Sequence, residues 1–140
     1  MSDPRADVRF DDIEANRVTM DYGSSIVYSA TVANGSSQVG LAVRVSTDKT
    51  VELTQDATNV FGKLLTVYPD YCVVQWRGFM KLPSGASATL TIGAPIVGDL
   101  DSAAEGYIRV AASAQAAELL VARGIIVDND DTANVVVYLP

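Results

Sequence analysis

The sequence predicts an all-β fold: a small single-domain β-barrel with a flexible N-terminal arm and at most one short helix. Three observations lead there. From Ser24 to the end of the chain, β-branched and aromatic runs of strand length follow one another, several alternating apolar with polar residues, the period of a half-buried strand. Polar or Gly/Pro-containing turns separate these runs at short intervals, as in a barrel or sandwich. Only Ala111–Glu118 is alanine-rich enough to suggest a helix, of at most about two turns.

Residues 1–21 stand apart. Asp3, Asp7, Asp11, Asp12, Glu14 and Asp21 outweigh Arg5, Arg9 and Arg17, and few apolar residues interrupt them. The stretch reads as an arm, loose in solution, whose Phe10 and Ile13 need something to dock against. Its removal is expected to leave residues 22–140 folded as the barrel domain.

The strands then follow in order. Ile26–Val32 is β-branched and aromatic, and Asn34-Gly35 marks a turn after it. Leu41, Val43 and Val45 alternate with Ala42, Arg44 and Ser46; Thr47-Asp48-Lys49 turns the chain into Val51 and Leu53. Val60–Val67 and Tyr71–Met80 form the clearest hairpin, joined at Tyr68-Pro69-Asp70-Tyr71, where Pro69 presets φ. Both faces of its second arm are mixed, so one side belongs in a core and the other is partly covered. Pro83-Ser84-Gly85 is a loop, Leu90–Ile92 and Ile96–Val97 are short strands either side of a Gly93-Ala94-Pro95 kink, and Gly106–Val110 is another strand. Leu119–Val127 reads as a buried strand, Asp128–Asp131 as a turn, and Val135–Leu139 as the strand that closes the sheet.

Composition narrows function. The 140 residues are 49% hydrophobic and 19% charged, a globular balance. No apolar run approaches the ~20 residues of a membrane span, and the polar start lacks the pattern of a signal peptide. A net charge of −7 with scattered basic residues argues against nucleic acid as partner. Histidine is absent, which removes the commonest general base and metal ligand. Cys72 is the sole cysteine, followed by valines, and reads as a buried structural thiol.

The remaining motifs read as structure. Asp128, Asp130 and Thr132 start like a calcium loop, but Ala133 and Leu139 stand where glycine and glutamate are required. Asp99, Asp101 and Glu105 form an acidic loop with no aromatic platform for a glycosidase-like pair. No phosphate-binding glycine loop is present. No catalytic residue, cofactor, metal ligand or small-molecule substrate is expected, and the chain is not expected to be an enzyme. Trp76, Arg77 and Phe79 are the interaction candidates on the main hairpin, because Trp and Arg are favoured interface anchors, although core packing claims Trp76 as well.

The stretch Phe61–Phe79, with its glycine-led strand, acidic turn and Tyr71-Cys72-Val73-Val74-Gln75 strand, resembles the central hairpin of tailed-bacteriophage capsid decoration proteins. Leu90–Val97, Gly106–Arg109, Arg123–Asp128 and Val135–Leu139 continue the likeness, which spans about Val39 to Leu139. The resemblance implies a β-barrel or β-tulip domain on the outer surface of a virion head, made in the host cytoplasm. It implies a homotrimer that binds the major capsid protein and cements neighbouring subunits, with an N-terminal arm that orders on the shell. A generic interaction module, such as a tail or baseplate component or a bacterial adaptor, is the alternative.

Overall fold

The computed structural model describes residues 16–85 and 88–140. The regular structure of the described residues is almost wholly strands, in the order β1 (Arg17–Tyr22), β2 (Ala42–Thr47), β3 (Thr50–Leu53), β4 (Gly62–Val67), β5 (Cys72–Gln75), β6 (Gly78–Pro83), β7 (Ile96–Asp101), β8 (Ala104–Val110), β9 (Ile125–Asp128) and β10 (Asn134–Leu139). One short helix, α1 (Ala116–Val121), lies between β8 and β9.

Strands β1-β3-β2-β4-β5 form a closed barrel. The pairing of β5 with β1, antiparallel from Arg17↔Gln75 to Met20↔Cys72, completes the ring. Only the β1–β3 pair is parallel among the barrel ladders. Alternation fills the interior: Val43, Val51, Leu53, Leu64, Val67, Cys72 and Val74 are buried inside, with Val18, Met20 and Tyr22 of β1 packed against them. Closure removes free strand edges that would otherwise pair with other chains.

A second core lies beside the barrel. A three-stranded sheet β6-β10-β9 and the hairpin β7–β8 enclose Met80, Leu82, Ile96, Ile108, Ile126, Val135, Val137 and Leu139. Strand β2 serves both cores, because Ala42 is buried in the second and Val43 in the barrel.

The all-β barrel expected from the sequence is what the chain adopts, and several element boundaries differ. The expected arm stops short of residue 21: residues 1–15, with Phe10 and Ile13, lie outside the described residues, and Arg17–Asp21 belong to β1. Removing residues 1–21 would therefore take a stave from the barrel. Ile26–Val32 is not a strand. Its amides find local partners, Val27 N–H on Gln38 Oε1 at 2.8 Å and Ser29 N–H on the Gly35 carbonyl at 2.8 Å, and Val27 points outward. Side-chain and turn acceptors outcompete a ladder there despite the β-branched composition.

The long hairpin arm Tyr71–Met80 is two strands in two sheets. Leu90–Ile92 lies outside the strands, where the Leu90 carbonyl accepts from Asn129 and the Gly93 amide donates to Ile126. The helix is shifted to Ala116–Val121, so Leu119–Val121 are exposed on it rather than buried in a strand. Arg109 accounts for that shift, since it holds Glu118 against β8.

Candidate functional site

The interaction candidates from the sequence meet at the seam between barrel and sheet. β5 ends at Gln75, and Gly78, the first residue of β6, adopts φ 94°, a conformation that L side chains resist. This bend carries the chain out of the barrel wall. Gln75 braces it, its Nε2 donating to the carbonyls of Arg77 at 3.3 Å and Phe79 at 3.1 Å. Beyond the bend, Phe79 points to solvent at 67% exposure. Arg77 lies over the Trp76 ring, 5.2 Å from its centroid, a favourable cation–π geometry.

Register extends this seam into an apolar row. Phe79 stands opposite Tyr138 on β10, and Tyr138 opposite Ile125 on β9. All three are exposed on the outward face, while their neighbours Met80, Leu139 and Ile126 turn into the core. The Phe79 and Tyr138 rings sit 5.0 Å apart and tilted by 48°, within the range of favourable aromatic pairs. Next to the row, Asn59, Val60, Phe61, Trp76, Val121, Arg123 and Pro140 line an open cleft of about 350 Å³. Leu120, one residue from Val121, is 86% exposed.

Arg123 organises the floor of this surface. Its guanidinium donates to the carbonyls of Phe61 at 2.6 Å, Trp76 at 2.5 Å and Pro140 at 2.6 Å. It thereby ties the start of β4, the end of β5 and the end of β10 together. Burial pushes its pKa down, and the three carbonyl dipoles compensate the desolvated charge.

A second aromatic group occupies the other end of the same barrel strands. Tyr68 and Tyr71 stack at 4.7 Å across the β4–β5 turn. Tyr22 Oη donates to the carbonyls of Tyr68 at 2.7 Å and Pro69 at 3.0 Å. A smaller hollow of about 290 Å³ adjoins them, lined in part by Tyr28, Val32 and Thr66.

The acidic groups are engaged structurally. Asp99 and Asp101 lie on β7 and Glu105 on β8, not in a loop. Arg109 gathers Glu118 at 2.5 Å, Asp56 at 3.1 Å and Asp99 at 3.8 Å, and Glu105 accepts from Gln55 at 3.1 Å. The Arg109 hydrogen bond, with the Ala112 amide, holds the Glu118 carboxyl below its ordinary range. In the turn after β9, Asp128 and Asp131 accept from the amides of Asp130 and Ala133, the turn role their sequence indicated. Among the described residues, no three His, Cys, Asp or Glu side chains group as metal ligands would. The Cys72 thiol is fully buried and pushed up to about 11, by desolvation first and then by Asp21.

The structure thus brings Trp76, Arg77 and Phe79 together on one surface. It adds Tyr138, Ile125, Leu120 and Arg123, which the sequence reading did not single out. The alternation of Val135–Leu139 already puts Tyr138 opposite in facing to its buried neighbours; the cross-strand register that joins it to Phe79 has no local signal. The fold and surface define a two-core β protein with an apolar, aromatic seam. Scans against protein-family models, curated proteins and solved structures find no match to the chain.

Proposed function

We propose that the chain is a virion structural protein that binds the outside of a tailed-phage head and staples neighbouring major capsid protein subunits. The observation that carries this reading is the apolar seam beside Trp76, where Phe79, Tyr138 and Ile125 stand exposed in one row. An exposed aromatic patch rimmed by polar residues is what a protein-binding face looks like. The resemblance of Phe61–Phe79 to decoration-protein hairpins supplies the kind of partner, and the two ends of that hairpin, Phe61 and Trp76–Phe79, lie in or beside the seam.

On this reading the seam and the N-terminal segment that begins next to it together form the shell-binding surface. Many copies acting on one lattice turn modest contacts into firm attachment. Trimers at three-fold positions are the expected arrangement. Electron cryo-microscopy of expanded heads incubated with the protein tests the proposal: added density on the outer surface, centred on three-fold positions, supports it, and bare heads refute it.

A further inference from the structure

The geometry points to a second binding site, in the hollow at the tyrosine end of the barrel, that takes the guanidinium of an arginine side chain presented by a partner protein. Its walls are already in place. The Tyr68 amide donates to the Tyr71 carbonyl at 2.8 Å, and Tyr22 Oη clamps the Tyr68 and Pro69 carbonyls from β1. On the other side, the Ser29 amide donates to the Gly35 carbonyl at 2.8 Å. Gly35, at φ 83°, lies so close to the Val67 carbonyl of β4 that a Cβ would overlap it. An entering side chain therefore meets a formed surface, and binding adds little ordering cost.

Chemistry selects the occupant. Tyr28, Tyr68 and Tyr71 are exposed here, with Tyr68 and Tyr71 stacked. Aromatic faces attract cations, and a guanidinium is planar and weakly hydrated, so it stacks on them better than an ammonium does. Its N–H groups need acceptors around their edge; Ser29, Asn34 and Thr66 supply side-chain oxygens in the lining. Asp70, exposed in the turn between the stacked tyrosines, supplies the countercharge. Its field reaches the Tyr22 hydroxyl, whose pKa is raised by desolvation first and by Asp70 next. No described residue that lines the hollow is charged, so nothing within it repels a cation. Lys49, whose carbonyl accepts the Asp21 amide, stands outside the lining. An aliphatic occupant would bury these oxygens unpaired, and an anion would face Asp70.

This inference does not rest on the capsid reading, and its test contains no capsid. A blocked glycine-arginine-glycine peptide is titrated into the isotope-labelled full-length chain, and amide shifts are followed by NMR. The expected result is saturable shifts gathered in residues 28–35 and 66–71. Binding should weaken several-fold when citrulline, the neutral isostere, replaces arginine, and also when lysine does. Asp70→Asn and Tyr71→Leu should each weaken the arginine peptide several-fold while leaving the rest of the spectrum in place; the citrulline comparison needs no altered chain. No shifts up to millimolar peptide, shifts centred elsewhere, citrulline or lysine binding as well as arginine, or an unchanged affinity in a folded Asp70→Asn chain would each overturn the inference.

Discussion

Three residues carry the sharpest expectations at the residue scale. Arg123 satisfies three carbonyls from separate elements. Replacing it with methionine strands those acceptors, and since hydrogen bonds to charged groups contribute ~1.5–3 kcal/mol each with strong non-additivity, a loss of about 2–4 kcal/mol in chemical denaturation is expected. Cys72 should ignore a thiol reagent in the native state, because it is buried and its pKa is pushed up to about 11. It should label only at the rate of unfolding; fast native labelling would contradict its placement inside the barrel.

Glu118 has its folded pKa depressed, chiefly by Arg109. A depressed carboxylate contributes stability above its unfolded pKa and loses it as pH falls through the folded value. The acid side of the melting-temperature profile should therefore be shallower in Glu118→Gln than in the parent chain, with the parent the more stable near neutrality. Of these three roles only the burial of Cys72 is written locally, in its apolar neighbours; the acceptors of Arg123 lie 17 to 62 positions away, and the partner of Glu118 lies 9 away.

Elements were legible where hydrophobic alternation and turn chemistry agree. Val51 and Leu53, the Pro69 turn and the Val135–Leu139 strand fall where their sequence places them. The failures share a cause: competition from outside the segment. Ile26–Val32 has strand composition but spends its amides on Gln38 and on its own turn. Leu119–Val121 reads as apolar core but is drawn into α1 by the Glu118–Arg109 pair. The split of Tyr71–Met80 at Gly78 was visible only as a glycine, with nothing local to say that the chain changes sheets there. One consequence concerns β1. Deleting residues 1–15 should leave the circular-dichroism spectrum and cooperative melt intact. Deleting 1–21 removes the strand that bridges β3 and β5, so it should abolish cooperative folding. A well-folded 1–21 deletion would mean that β1 is not an essential barrel strand.

At the scale of the whole molecule, two cores share one wall. Ala42 and Val43, adjacent on β2, are buried on opposite sides of it, so loosening one core disturbs the other. Leu64→Ala in the barrel and Leu82→Ala in the second core should each cost about 2–5 kcal/mol. Both should shift the same single denaturation transition; two separable transitions would show that the cores unfold independently. The barrel class was readable because each strand repeats the same period. The apolar seam was half-readable: Trp76, Arg77 and Phe79 stood out by residue type, but Tyr138 and Ile125 join them only through strand pairing.

The central claim is that this seam and its adjoining segment serve to bind a capsid lattice. Co-sedimentation with expanded tailed-phage heads stripped of their own decoration addresses it most directly, with bound protein quantified on gels as its concentration is raised. Saturable binding at many copies per head is the predicted result. Protein that stays in the supernatant at every concentration would contradict the claim, leaving the fold intact and turning the seam toward tail components or bacterial partners.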